Sequence, residues 1–172
     1  MKWKTCLRHA GLLAVNHLYA GPRCFAQKRR ILNAIGFDLG EGTKVVGPLF
    51  CTGMLITGKN CWIGRNLTIH GDGQVIIGSC CDLGPDVTIL TGGHTIGGPE
   101  RRAGKGQTCP VRIGDGCWIG ARSTLLGGTT LGTGSVIGAC ACVTKDVPAN
   151  TLFCGVPARQ IRVLYETEQT AE

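Results

Sequence analysis

Aromatic residues are scarce: four Phe, three Trp and two Tyr make up 5% of 172 residues. So few rings exclude a core built on aromatic packing. Charged residues are also sparse at 17%, yet 43% of the chain is hydrophobic, a balance that excludes a disordered polymer. Acids are the minority charge, 11 against 18 Lys and Arg, for a net +7. Such a surplus favours phosphorylated cofactors, acidic glycans or membrane headgroups as partners. No apolar run approaches the ~20 residues of a membrane span. The stretch 12–20 follows Lys2, Lys4 and Arg8 in the manner of a leader peptide, but Asn16 and His17 interrupt it and Arg23 follows closely, so it is read as retained. The cysteines number 11, and no pair has the Cys-x-x-Cys spacing of zinc or redox sites. An odd count in a chain this long fits reduced thiols in a cytoplasmic protein. Cys51, Cys61, Cys80, Cys81, Cys117, Cys140 and Cys142 sit where a repeat wants a small residue and are read as apolar fillers.

Glycine, by contrast, is abundant, with 28 residues against a usual share of ~7%. Glycine-rich, aliphatic and aromatic-poor composition points to many short strands joined by tight turns. The aliphatic residues recur at every sixth position. One phase runs Leu39, Val45, Cys51, Thr57, Ile63, Ile69, Val75. It slips by two to Ile77, Leu83, Ile89, then resumes as Ile113, Ile119, Leu125, Leu131, Ile137, Val143. A six-residue period fits neither a helix nor a plain two-residue alternation. It fits a short strand plus a turn, three such units closing one triangular coil, with stacked coils burying a column of aliphatics.

Three segments depart from this pattern. Residues 1–36 are read as a separate unit of two short basic helices, over 3–19 and 26–35, and 37–162 as the solenoid. Within it, 95–110 lacks the aliphatic period and is read as a loop that leaves the prism and returns in register; long loops of this kind in compact domains are usually functional or disordered. Residues 163–172 form a polar tail.

The closing stretch IGDGCWIGARSTLLGG, then VTKDVP and GVPAR within IGACACVTKDVPANTLFCGVPARQIR, resembles the hexapeptide-repeat acyltransferases, closest to the sugar and polysaccharide branch with its galactoside and maltose acetyltransferases. The resemblance covers roughly 36–162. It implies an all-β fold with short N-terminal helices, a left-handed parallel β-helix, a homotrimer, and acetyl-CoA as co-substrate without a metal. The handedness comes from the family alone, since general topology favours right-handed crossovers.

His94 ends a repeat and opens the excursion loop, so it stands at a prism corner beside a flap. Acyl transfer from a thioester to a hydroxyl needs a base near neutral pKa, and the resemblance implies that role for His94, with direct transfer and no acyl-enzyme. It also implies an oxyanion donor at the Ala121 N–H, a pantetheine groove past Ala139 and Thr144, and CoA phosphates held by Lys145, Arg159 and Arg162. Trp118 is read either as a groove wall or as a structural aromatic. Asp72 falls where the galactoside enzymes carry an acceptor-binding aspartate. Their acceptor asparagine falls on Gly64, with Asn66 nearby, and a flap carboxylate is replaced by Lys105, leaving Glu100 closest. These departures count against a simple galactoside; Arg101, Arg102 and Lys105 on the flap are read either as receiving an anionic or lipid-linked glycan precursor or as solvated charges. No nucleic-acid partner is expected; peripheral membrane contact through the basic N-terminus remains open. Three other readings stand beside this one: a non-catalytic β-helix scaffold, a serine-type acetyltransferase, and a β-helix carbonic anhydrase. The last needs three histidines on zinc, and of His9, His17, His70 and His94 only two lie in the repeats.

Overall fold

The computed structural model describes residues 2–164, with side chains from residue 6 onward; most of the expected polar tail lies outside the described residues. Strands of two to four residues wind into a solenoid whose strands form three parallel sheets, the second of which ends in an antiparallel pair, Thr151–Cys154 with Arg159–Val163. The first face stacks Leu39, Thr57, Ile77, Ile113 and Leu131 in register. The second stacks Val45, Ile63, Leu83, Ile119, Ile137 and Phe153. The third stacks Cys51, Ile69, Ile89, Leu125 and Val143. The sixfold period is therefore the perimeter of a triangle divided by its sides. Apart from Phe153, every residue in these columns is buried, and each Ile or Leu so placed contributes about 1.5–3 kcal/mol of transfer free energy.

The slip by two residues has a structural cause. Cys51 pairs with Ile69 and Thr57 with Ile77, so a six-residue step in one coil faces an eight-residue step in the next. The two extra residues fall within 70–73, at the corner between the third and first faces. Val75 still points inward, opposite Leu55, because it precedes Ile77 by one full strand period.

A second inward column, two residues before each aliphatic of the second face, holds Thr43, Cys61, Cys81, Cys117, Ser135 and Thr151. Their polar hydrogens are satisfied at the turns: Thr43 Oγ1 donates to Gly58 O at 2.9 Å, and the Cys61 and Cys81 thiols to Gly78 O and Gly114 O at 3.0 Å each. Cys51, Cys61, Cys81 and Cys117 are thus fillers as read from the sequence. Cys80 and Cys140 are not: both are exposed, on corner residues with φ of 57° and 59°.

The N-terminal segment forms α1 (Lys2–Leu13), a π-helical turn (Ala14–Leu18) and α2 (Phe25–Ala34). No helix among the described residues is long and apolar enough to cross a membrane. The helices are tied to the first coil by two cations turned inward. Lys28 is fully buried, and its ammonium donates to the carbonyls of Gly21, Val45 and Val46 at 2.6, 2.8 and 2.7 Å. Burial pushes its pKa below the ordinary lysine value, while the three carbonyls favour the charged form. Arg8 lies 4.7 Å over the Phe37 ring and donates to the carbonyls of Cys51 and Gly53.

Candidate active site

The excursion is an antiparallel hairpin with strands Gly92–Ile96 and Ala103–Thr108. It begins three residues earlier than the loss of aliphatic period suggests. His94 is exposed on the outgoing strand, opposite Gly106. Its Nδ1 lies 3.0 Å from the carbonyl oxygen of Gly104. A carbonyl only accepts, so Nδ1 carries the proton, and in the neutral ring Nε2 keeps its lone pair. Gly106 leaves space beside the ring: a Cβ there would stand 4.0 Å from His94 Cε1.

A cleft of about 210 Å³ opens at the base of the hairpin, lined by Gly93, His94, Gln107, Cys109, Leu126 and Gly127 among others. Gln107 and Cys109 were not singled out from the sequence. Their signal was the two-residue alternation of the returning strand, visible only once its register is known. Gly127 brings the next coil over the cleft; a Cβ on it would meet Leu90 O at 3.0 Å and Cys109 Cβ at 3.2 Å.

A second cleft, about 300 Å³, is lined by Thr144, Lys145, Asp146, Phe153 and Arg159 among others. Thr144, Lys145 and Arg159 therefore line one cleft, whereas the sequence reading paired Thr144 with Ala139 and grouped Lys145 and Arg159 with Arg162. Arg162 lies farther along its strand, opposite Leu152, and is not among the lining residues. The two clefts share one corner line, which we term the flap edge. Leu90 pairs with Leu126, and Leu125 with Val143, so Thr144 stands two strand spacings, about 9.6 Å, beyond the hairpin base.

Asp72 occupies the same edge, one coil earlier. Its turn is packed beneath the hairpin: a Cβ on Gly71 would come within 2.4 Å of Gly92 N, and one on Gly73 within 2.7 Å of Thr91 Cβ. Glu100 and Arg101 lie in the exposed hairpin turn, beyond the Ile96–Ala103 pair and away from the His94 cleft. A larger cleft of about 570 Å³ lies between α1 and the first coil, and His94 is not among its lining residues. The cation at its wall, Arg8, is engaged by backbone carbonyls, and burial pushes the Cys51 thiol there up to about 11.

The remaining predicted residues stand elsewhere. Asn66, Ala121 and Ala139 follow strands of the second face and line the corner between the second and third faces. On this second edge Asn66 Nδ2 donates to Asp86 Oδ1 at 2.8 Å, and Asp86 faces Arg122 at 3.9 Å. Asn66, Asp86 and Arg122 all have φ between 57° and 60°, so equivalent corner residues stack from coil to coil. Trp118 projects from the second face and is 59% exposed. Within one chain the predicted site is thus divided between two edges. Among the described residues no three His, Cys, Asp or Glu side chains converge on a metal-sized site.

Residues 110–145 match the bacterial transferase hexapeptide family, described as six repeats. Galactoside O-acetyltransferase of Escherichia coli K12 is 32% identical over 156 residues, covering 90% of this chain and 76% of that protein. The chain belongs to the hexapeptide-repeat acetyltransferases. A putative acetyltransferase of Schizosaccharomyces pombe is 42% identical over 146 residues, covering 83% of this chain and 70% of its own. The solved galactoside acetyltransferase in complex with coenzyme A superposes with a TM-score of 0.83 at 31% identity, over 96% of this chain and 82% of that one. A hexapeptide-repeat acetyltransferase of Vibrio cholerae, complexed with acetyl-CoA, gives 0.83 at 26% identity, over 96% and 89%. The fold is the left-handed parallel β-helix of this family, and the enzyme class is that of a CoA-dependent O-acyltransferase.

Proposed function

We propose that the protein moves an acetyl group from acetyl-CoA to a hydroxyl of a sugar or of a polysaccharide or lipid-linked glycan precursor, with His94 as general base. The observation that carries this reading is the Nδ1–H bond to Gly104 O, which leaves Nε2 as the basic nitrogen at a cleft mouth. The acceptor hydroxyl gives its proton to Nε2 as its oxygen attacks the thioester carbonyl carbon. The oxyanion that forms takes a hydrogen bond from the Ala121 N–H. As the C–S bond breaks, the departing thiolate recovers the proton from the imidazolium, leaving free CoA thiol and an O-acetyl ester. Lys145, two strand spacings farther along the flap edge, and Arg159, which lines the same cleft, fit the CoA phosphates as paired cations, with Thr144 beside the pantetheine arm and Arg162 at the outer end. The reading is supported by relatives whose names state galactoside O-acetyl transfer, one of them solved with CoA, and by the Vibrio cholerae acetyltransferase solved with acetyl-CoA.

Because Ala121, Ala139 and Asn66 sit on a different edge from His94 and Lys145, the complete site takes its second half from a neighbouring copy. A closed trimer presents each flap edge to a neighbour's second edge and yields three such sites. Asp72 and Asn66 are assigned to the acceptor, with Glu100 and Arg101 on the hairpin covering it.

The test is transfer of labelled acetyl from acetyl-CoA to a panel of free sugars, nucleotide sugars and lipid-linked glycans, read by mass. Ester-linked acetyl on a sugar hydroxyl is the expected product. Release of label only as free acetate, or its transfer only to amines, would contradict the proposal.

A further inference from the structure

The outer side of the second face carries a row of side chains that the His94 chemistry does not use. Lys44 pairs with Trp62, Trp62 with Asp82, and Asp82 with Trp118, so these four stand in one column across successive coils. The residue after each of them, Val45, Ile63, Leu83 and Ile119, is buried, and strand alternation turns the four outward. Trp62 is 38% and Trp118 59% exposed. Beside the column lies a cleft of about 210 Å³ lined by Lys44, Asn60, Trp62 and Asp82, with Gly42 and Cys61 completing it. Gly42 lets the wall pack closely, since a Cβ there would come within 2.0 Å of Asn60 Oδ1. Trp62 is fixed from the α2 side by Phe25, the ring centroids 5.7 Å apart and tilted by 59°. The Lys44 ammonium stands 6.0 Å from the same Phe25 ring.

An indole wall beside a carboxylate, an amide and an ammonium matches a ligand with one apolar face and an edge of hydroxyls. Asp82, midway between the two indoles, offsets the charge of Lys44 in the same cleft, which separates this column from the cation pair of Lys145 and Arg159. Hydroxyl-rich ligands suit such a lining. We propose that the column is a carbohydrate subsite. A pyranose of the acceptor stacks its C–H face on Trp62, with its hydroxyls bonded to Asp82, Asn60 and Lys44. Trp118, two strand spacings or about 9.6 Å from Trp62, takes a neighbouring sugar unit. The inference rests on the reading of the protein as a sugar O-acetyltransferase and names where the outer units of an extended acceptor go. The second face adjoins the edge bearing Asn66 and Ala121, the half of the site assigned to the neighbouring copy, so a glycan on this column leads toward the reacting hydroxyl.

The experiment compares the wild type with Trp62→Leu, Trp62→Phe and Asp82→Asn. It uses steady-state transfer to an oligosaccharide and a monosaccharide, and tryptophan emission on titration with the same oligosaccharide without acetyl-CoA. Light scattering confirms equal mass. Trp62→Leu and Asp82→Asn are expected to raise the KM for the oligosaccharide about tenfold, with the acetyl-CoA KM unchanged. Trp62→Phe restores most of the loss, and the emission change seen with wild type is reduced in Trp62→Leu, where Trp118 alone still reports. Unchanged oligosaccharide KM in both Trp62→Leu and Asp82→Asn, with transfer intact, would overturn the subsite and leave O-acetyl transfer standing. A wild type that acetylates no sugar and shows no emission change on titration would overturn both.

Discussion

The imidazole of His94 and the carbonyl of Gly104 are joined by a 3.0 Å hydrogen bond across the hairpin, so the flap itself selects the tautomer of the base. Gly104 has no room for a side chain: a Cβ would stand 2.9 Å from Thr95 Oγ1 and 3.0 Å from Thr95 O. Gly104→Ala therefore moves the carbonyl that orients the ring. We expect kcat to fall about 10- to 100-fold while the KM for acetyl-CoA holds, because the Lys145 cleft is untouched. Steady-state kinetics with both substrates varied checks this; an equal rise in the acetyl-CoA KM would show that the glycine serves general folding instead.

Lys145→Ala and Arg159→Ala each remove one cation from the same cleft. A charge-assisted hydrogen bond to phosphate is worth about 1.5–3 kcal/mol, so each variant is expected to raise the acetyl-CoA KM by roughly tenfold or more, with little change in kcat. Added salt should narrow the gap between wild type and variant. A KM unmoved in both variants would remove the phosphate role.

The division of the site between two edges gives a mixing prediction. His94→Ala disables one half, and Ala139→Trp, at an exposed corner of the second edge, blocks the other. Refolding the two inactive proteins together in equal amounts should restore about a quarter of wild-type activity, the share of contacts pairing an intact His94 with an intact Ala139. A site contained within one chain would restore none.

Lys28 predicts a stability effect without a direct catalytic one. Lys28→Met leaves the buried carbonyls of Val45 and Val46 and the half-buried one of Gly21 without their donor. A buried acceptor left unpaired costs about 1–3 kcal/mol, so a marked drop in Tm is expected by circular dichroism. A Tm within about 2 °C of wild type would show that α2 is held by its apolar contacts alone.

The columns of the solenoid were legible because a turn every six residues leaves one inward aliphatic per side, and Leu39 through Val143 fall on that beat. Thr57 fits it too, its hydroxyl satisfied by Gly58 O at 3.1 Å. What periodicity does not record is the partner of an outward residue. The bond from Asn66 to Asp86 links equivalent corners of successive coils, and its two members look like unrelated polar residues in sequence. Lys28 read as one more charge on a basic helix, because nothing local reveals that three carbonyls of other segments surround it. The hairpin register placed Gln107 and Cys109 in the cleft and left Glu100 and Arg101 at the turn. Sequence distance from His94 suggested neither outcome. The split between edges was hidden for a similar reason: spacing tells which repeat a residue belongs to, and only the closed triangle tells which corner it occupies.

The most direct test of the account is the turnover of His94→Ala with acetyl-CoA and an accepted sugar at saturation, alongside its mass and its affinity for CoA. A positioned base is worth about 10²–10⁴-fold, so kcat should fall by that factor while mass and CoA affinity stay at wild-type values. Near-normal turnover by this variant would contradict the assignment of His94 as the base.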